Sequence, residues 1–339
     1  MLSRRLMSGA GAEVPQALAV AHTTSPNVSV YPWDTASGFG SKFSDPATLP
    51  ASTGSGVAFS RDKTAIAVAH AASPYLSVYP WSASGFGTKF SNPASLPSGA
   101  GYGVAFGASD IFLATGTSPY ICAYPWSSSG FGTKYSNPAT LPGAAGVGVA
   151  VTSANDAVAV AHQASPYVNA YPWSGSGFGT KFSNPATLPT DLAWGVAFKG
   201  TDDVIAVSHS SNPCVSAYPW SGSGFGTKYS DPGTLPVTSG KSVQFSPNGS
   251  YVAVACDGSP YVRAYTWSSG FASVFSNPAT LPAGAGKGVA FSRDSDAIAV
   301  AHATTPFITA YPFSGSGFGT KYSNPGTLPA GQGNGVAFL

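Results

Sequence analysis

The chain has 339 residues and a formal net charge of +2, and only 8% of its residues are charged, against roughly 25% in a typical soluble domain. So small a charge, without a cluster of Lys and Arg, excludes a nucleic-acid partner, because such binding displaces counterions from phosphates. The 43% hydrophobic content excludes disorder, and 41 Gly and 29 Pro indicate short strands joined by many turns. No stretch of the sequence predicts a membrane-spanning segment, and three cysteines without metal-type spacing predict neither a disulfide framework nor a zinc site.

Residues 1–14 precede the first predicted strand and match none of the repeats that follow. Arg4 and Arg5 resemble the start of a signal peptide, but no apolar core of about 7–15 residues follows them, so no signal peptide is predicted. The basic pair next to Leu6 instead predicts an N-terminal arm that binds other proteins of a larger assembly.

Two short anchors recur along the rest of the chain and divide it into seven units of roughly 47 residues. The third residue of the first anchor, Tyr-Pro-Trp in most units, is aromatic in every unit: Trp33, Trp81, Trp126, Trp173, Trp220, Trp267 and Phe313. The second anchor is Leu-Pro, and it begins at Leu49, Leu96, Leu141, Leu188, Leu235, Leu281 and Leu328. Seven copies of each anchor predict seven equivalent units within residues 15–339.

Each unit contains four runs that are typical of β-strands, which in the second unit are residues 56–59, 65–70, 75–81 and 88–91. The first two runs are almost entirely apolar, as expected of strands covered on both faces, and the other two alternate more. Four strands in about 47 residues predict one antiparallel blade of a β-propeller. The fold class is therefore all-β, with a single seven-bladed propeller over residues 15–339.

The two ends of the repeat region indicate how the ring closes. The region opens in a second-strand run, residues 17–22, and ends in a first-strand run, residues 335–338. We expect the C-terminal strand to complete the first blade, because that pairing removes the exposed edges of an open array.

The run Val-Ala-Phe-Ser, followed by a turn, an apolar strand and Val-x-Val-Tyr, resembles the repeats of WD-repeat and YVTN-type propellers. Residues 246–249, Ser-Pro-Asn-Gly, match that turn best. The sequence departs from WD repeats in lacking Gly-His before the first strand, and only Asp34 supplies an acidic residue after the aromatic anchor. The near-identical units, low charge and Gly/Ser/Thr-rich loops also resemble propellers encoded by tailed phages. These resemblances imply the propeller fold, and the second implies a virion component.

Two repeated positions invite a functional interpretation. All five histidines, His22, His70, His162, His209 and His302, occupy the end of the second run, where Thr115 and Cys256 stand in the other two units. Metal ligation needs nitrogens within about 2.0–2.1 Å of one ion, whereas neighbouring sheets lie about 10 Å apart, so no metal site is predicted. We expect each histidine to hydrogen-bond the adjacent loop, with a pH-dependent interface as the alternative.

A lysine recurs on the predicted outermost strand of six units, where it would block unwanted edge pairing; a basic belt for an acidic partner is the alternative. The lysines are Lys42, Lys89, Lys134, Lys181, Lys228 and Lys321. The aspartates that follow the first run, among them Asp110 and Asp202, are interpreted as ordinary turn residues.

The position just before the first run differs in every unit except two, and positions that break a repeat are the better candidates for a binding site. Its occupants are Ser55, Tyr102, Val147, Trp194, Lys241, Lys287 and Asn334. We expect them to surround the mouth of the central channel, with Tyr102, Trp194, Lys241, Lys287 and Asn334 as binding residues, because aromatic and cationic groups around a concavity suit a sugar or a protein.

The leading hypothesis is a non-enzymatic structural or adhesion module of a larger assembly such as a phage virion, without metal or cofactor, at a virion or extracellular surface. The first alternative is a free carbohydrate- or protein-binding propeller. A lactonase-like propeller enzyme ranks last, because the Gly-Val-Ala-Phe first strands offer no inward carboxylates.

Overall fold

A computed structural model describes residues 15–339, which form seven four-stranded antiparallel sheets arranged as the blades of a propeller. The strands are, in blade 1, β28 (Gly333–Phe338), β1 (Ala17–His22), β2 (Val28–Asp34) and β3 (Gly38–Phe39); in blade 2, β4 (Gly54–Phe59), β5 (Ala65–His70), β6 (Leu76–Ser82) and β7 (Gly85–Phe86); in blade 3, β8 (Gly101–Phe106), β9 (Asp110–Thr115), β10 (Ile121–Ser127) and β11 (Gly130–Phe131); in blade 4, β12 (Gly146–Val151), β13 (Ala157–His162), β14 (Val168–Ser174) and β15 (Gly177–Phe178); in blade 5, β16 (Ala193–Phe198), β17 (Val204–His209), β18 (Val215–Ser221) and β19 (Gly224–Phe225); in blade 6, β20 (Gly240–Phe245), β21 (Tyr251–Cys256), β22 (Val262–Trp267) and β23 (Phe271–Val274); and in blade 7, β24 (Gly286–Phe291), β25 (Ala297–His302), β26 (Ile308–Ser314) and β27 (Gly317–Phe318). The prediction of a seven-bladed all-β propeller is confirmed.

The alternation of small and large apolar residues in the second strands determines how the blades pack. In blade 2, Ile66 and Val68 face blade 1 and contact the Ala19 and Ala21 side of its second strand. The opposite face of the blade 2 strand carries Ala65, Ala67 and Ala69, against which Ile111 and Leu113 of blade 3 pack. Large side chains of one blade thus fill the space that alanines leave on the next, which gives close packing without voids.

The C-terminal strand closes the ring as predicted. β28 pairs with β1 in antiparallel register, with Leu18 opposite Phe338 and Val20 opposite Val336. The aromatic anchor also packs between sheets as expected: the ring of Trp81 lies 5.1 Å from Phe43 of blade 1 and 5.2 Å from Phe86 of its own blade.

The tyrosine of the same anchor links neighbouring blades by a hydrogen bond. Tyr79 is fully buried, and its hydroxyl donates to the carbonyl oxygen of Thr48 at 2.8 Å. The equivalent tyrosines of the other six blades make the same bond to the preceding blade: Tyr31, Tyr124, Tyr171, Tyr218, Tyr265 and Tyr311. Each blade is therefore held to its neighbour by a buried polar bond as well as by apolar contact.

The predicted position of the fourth strand was wrong. In blade 2 it is only Gly85–Phe86, paired with Ser82 and Trp81, rather than residues 88–91. A tight turn causes this early return, and Gly85 adopts φ +96°, a conformation that favours glycine. The recurring lysines consequently follow the outermost strand, and all six pair with an Asn or Asp three residues later, as Lys134 Nζ does with Asn137 Oδ1 at 3.1 Å.

Asp110 departs from the interpretation of a simple turn residue. The turn between the first two strands of blade 3 is short, so Asp110 opens strand β9 and is only 2% exposed. Its carboxylate accepts hydrogen bonds from Tyr135 Oη at 2.8 Å, Trp173 Nε1 at 3.0 Å and Asn155 Nδ2 at 3.3 Å. These three donors come from blades 3 and 4, so the carboxylate joins the two blades.

Candidate functional site

A β-bulge in the first strand of every blade positions the residues that break the repeat. In blade 2, Gly54 is opposite His70 and Gly56 is opposite Ala69, which leaves Ser55 between them without a partner. The repeat pattern predicts this residue just before the strand, whereas the structure places it within the strand, because the bulge adds a residue that local sequence does not reveal. An extra residue in a ladder redirects its side chain, and bulges often lie next to binding sites.

The seven bulge residues line one cavity of about 530 Å3 at the mouth of the central channel, a volume within the range of small-molecule sites. The structure therefore brings together the five predicted site residues, Tyr102, Trp194, Lys241, Lys287 and Asn334. The cavity is also lined by Ser55, Ala145, Val147, Gln163 and Gln332.

One side of the mouth carries its charges, and we call Lys241, Asp257 and Lys287 the charged arc. Lys241 Nζ lies 3.2 Å from Asp257 Oδ2, and Lys287 Nζ lies 2.8 Å from Asp257 Oδ1. Burial lowers the pKa of Lys241, and Asp257 acts in the opposite direction. Two ammonium groups around one carboxylate leave an excess of positive charge, which would attract an anion or a developing negative charge.

Trp194 is held next to this arc by two contacts. Its Nε1 donates to Ser210 Oγ at 2.8 Å, and Lys241 Nζ lies 3.7 Å from the centre of its ring. A cation over an indole face is an attractive contact. Trp194 therefore has a defined orientation at the cavity wall.

On the other side of the charged arc, Asn334 is fixed by its own amide contacts. Asn334 Nδ2 donates to the carbonyl oxygen of Gly54 at 2.8 Å, and Gln332 Nε2 donates to Asn334 Oδ1 at 2.9 Å. Tyr102, in contrast, is 39% exposed, and its ring lies against Gly116, where an added Cβ would come within 2.9 Å of the ring.

A second variable position at the mouth, the residue directly after the histidine position, was not predicted from the sequence. It supplies Gln163 to the cavity lining, Asp257 to the two lysines that it contacts, and Ser210, which orients Trp194. The occupants in the seven blades are Thr23, Ala71, Gly116, Gln163, Ser210, Asp257 and Ala303. Comparing the units one position beyond the histidines would have identified it by the criterion that identified the bulge residues.

The histidines are structural. All five are fully buried, and the Nε2 of four of them pairs with a hydroxyl of the third strand in the same blade, as between His70 and Ser77 Oγ at 3.0 Å. The prediction of a bond to the loop is therefore corrected for Nε2, although His209 Nδ1 does lie 2.9 Å from the loop carbonyl of Ser211. Burial lowers the pKa of each to about 4, so they are neutral near pH 7 and do not form a pH-dependent interface.

The opposite end of the channel has a second cavity of about 600 Å3, lined by the cations Arg61 and Lys199. Lys199 Nζ lies 3.1 Å from Asp203 Oδ1. Arg61 donates to the backbone carbonyls of Thr152 and Ser153, both at 2.7 Å. Asp202 accepts from Ser153 N at 2.8 Å. These groups fasten turns to one another, so the bulge-lined mouth is the better candidate for a site.

No protein-family model and no curated protein matches the chain. Solved structures share its fold. The crystal structure of a candidate 6-phosphogluconolactonase from Bacteroides fragilis matches with TM-score 0.74 and 12% identity over 98% of this chain and all (100%) of the other. A similarly described protein from Bacteroides uniformis matches with TM-score 0.71 and 11% identity over 96% and 100%. The periplasmic gluconolactonase of Pseudomonas aeruginosa matches with TM-score 0.72 and 12% identity over 96% and 99%.

These similar structures correct the leading hypothesis of a non-enzymatic module of a phage virion, because several of them are named as lactonases. At 11–12% identity the likeness shows the fold alone, and an activity for this chain is a proposal. The first strands carry no inward carboxylate, but Asp257, which follows the second strand β21, contacts both lysines of the mouth.

The proposed arm, with Arg4, Arg5 and Leu6, lies outside the described residues, so its binding to assembly partners stays a prediction, as does binding of glycans. Within residues 15–339, no helix is long and apolar enough to cross a membrane.

Proposed function

We propose that this propeller is an enzyme that hydrolyses a small lactone at the channel mouth. The observation that carries the proposal is the charged arc: two ammonium groups that line a cavity of ligand size, beside an oriented Trp194, hold the carboxylate of Asp257 between them. Propellers of the same fold that are named as lactonases support the choice of substrate class.

The chemistry of lactone hydrolysis matches these groups. Water adds to the ester carbon, the bond from that carbon to the ring oxygen breaks, and an open hydroxy acid results. In the proposed mechanism Asp257 accepts a proton from the attacking water while the water oxygen bonds to the carbonyl carbon. Lys241 and Lys287 stabilise the negative charge that develops on the carbonyl oxygen. The ring oxygen then leaves with the proton that Asp257 holds, which restores the carboxylate.

The position of the arc supports this assignment of roles. Asp257 retains 33% exposure of its side chain, so water can reach it, while the lysines are more covered, at 16% for Lys241 and 26% for Lys287. Partial removal from water strengthens the electrostatic effect of the two cations on a bound substrate. The two lysines also provide a cationic partner for the carboxylate of the acid product.

The test is the rate of acid release from glucono-δ-lactone and γ-butyrolactone, measured by pH-stat, with the rate in the absence of protein subtracted. Asp257→Asn preserves size but removes the base, and we expect it to lower kcat by about 10²–10⁴-fold. The matched control is Asp231→Asn, which removes a carboxylate paired with Lys228 outside the mouth and should leave kcat unchanged. A wild-type rate equal to the blank, or full activity in Asp257→Asn, would overturn the proposal.

A further inference from the structure

The other side of the mouth has a different chemistry from the charged arc. We call one part of the cavity wall, contributed by the adjacent blades 3, 4 and 5, the apolar arc. It consists of Tyr102, Ala145, Val147 and Trp194. Lys241 and Lys287 come from the next blades, 6 and 7. The remaining lining residues, from blades 1 and 2, are polar: Gln332, Asn334 and Ser55. Gln163 is the polar lining side chain on the apolar side.

The fold itself does not require apolar residues at these bulge positions. The same position carries Ser55 in blade 2, Lys241 in blade 6 and Asn334 in blade 1, and all the blades have the same strand order and bulge. The repeated blades thus act as internal controls for packing. An aromatic residue that is 39% exposed, as Tyr102 is, gains little stability there and is typical of a contact surface for a ligand.

The hydrogen-bonding capacity of the apolar arc is also limited. Trp194 Nε1 is already committed to Ser210 Oγ, and Ala145 and Val147 have no polar side-chain atoms. The hydroxyl of Tyr102 and the amide of Gln163 are the polar side-chain groups that line this side. A ligand with a hydroxyl on every carbon would leave several of them against this surface without a partner, which costs free energy. An alkyl or aryl group would instead remove apolar surface from water on both sides.

We propose that the substrate is a lactone with an apolar substituent, which lies on the apolar arc while the lactone ring lies at the charged arc. This inference rests on the proposed function and specifies its substrate class. The cavity of about 530 Å3 holds both parts in one continuous space.

The test uses γ-lactones whose alkyl substituent grows from none to five carbons, together with glucono-δ-lactone. We expect kcat/KM to rise about three- to fourfold for each added methylene, the value that corresponds to about 0.8 kcal/mol of apolar burial. Val147→Gln and Tyr102→Ser should flatten this dependence. The matched control is Leu141→Ser, which removes an apolar side chain that is 37% exposed outside the mouth lining and should leave the dependence intact.

Binding of the matching γ-lactams, which resist opening, is measured in parallel by titration calorimetry and separates the two proposals. If the affinity for the lactams rises with chain length but no lactone is turned over, the proposal of hydrolysis is overturned and the proposal of an apolar substituent is supported. If turnover is independent of chain length, or fastest with glucono-δ-lactone, the proposal of an apolar substituent is overturned and the proposal of hydrolysis is supported. A rise with chain length that persists in Val147→Gln and Tyr102→Ser would also overturn this inference, because it would place the substituent elsewhere.

Discussion

The buried carboxylate of Asp110 provides a quantitative test of how blades 3 and 4 are joined. Trp173 Nε1 donates to Asp110 Oδ2 at 3.0 Å, whereas the equivalent Nε1 of Trp81 is buried without a hydrogen-bond partner. Both indoles pack against three aromatic rings at similar distances. The two tryptophans therefore form a pair with the same number of aromatic neighbours, in which only Trp173 Nε1 has a hydrogen-bond partner.

Replacing either tryptophan by Phe removes a similar volume, so the loss from packing should be alike. Phe313 fills the same position in blade 7, which shows that the ring of Phe is compatible with the site. A hydrogen bond to a charged group contributes about 1.5–3 kcal/mol. We expect Trp173→Phe to lower the free energy of unfolding by about that amount more than Trp81→Phe does.

The measurement is urea unfolding at constant pH, followed by circular dichroism, for the two single variants and for each of them combined with Asp110→Ala. In the Asp110→Ala background the excess cost of Trp173→Phe should vanish, because its partner is gone. Equal costs in the presence of Asp110, or an excess that persists without it, would refute the reasoning.

Two further predictions concern stability. The pKa of His70 is about 4 in the folded state and about 6.5 in the unfolded state, so the unfolded chain binds more protons between these pH values. The free energy of unfolding should therefore fall on acidification through that window, by up to about 1.4 kcal/mol per pH unit for each buried histidine. His70→Gln should reduce this slope, measured by unfolding at a series of pH values. Gly54→Ala should destabilise the fold by roughly 1–3 kcal/mol, because its Cβ would lie 2.2 Å from the carbonyl oxygen of Asn27. The control is Gly175→Ala, whose Cβ would have no atom within 4 Å and which should leave the Tm close to wild type. Equal Tm values for the two variants would contradict this prediction.

Much of the fold could be predicted because its signals are local and repeated. The aromatic anchor, as in Trp81, and the apolar second run that ends at His70 recur in register, and the two ends of the repeat indicated that residues near Phe338 would pair with β1. The length of the fourth strand could not be predicted, because the turn before Gly85 returns the chain early and only pairing with Trp81 reveals where the ladder ends.

The site was predictable in part. Variation between units identified Trp194, Lys241 and Lys287, but not that both lysines contact Asp257. The contact of Lys287 with Asp257 joins blades 7 and 6, and the contact of Lys241 with Asp257 depends on the bulge within blade 6; sequence spacing reports neither. The burial of Asp110 depends in the same way on a shortened turn and on donors from another blade.

The bulge has a consequence for how such a protein can change over generations. A residue such as Ser55 stands outside the pairing of β4 with β5, so its identity can vary while the ladder around it stays the same. Blade duplication supplies copies that already pack, and substitution at the bulge then gives each copy a different chemistry at the mouth. The seven bulge residues can therefore be replaced with little effect on the stability of the fold. This makes the mouth a suitable target for a combinatorial library.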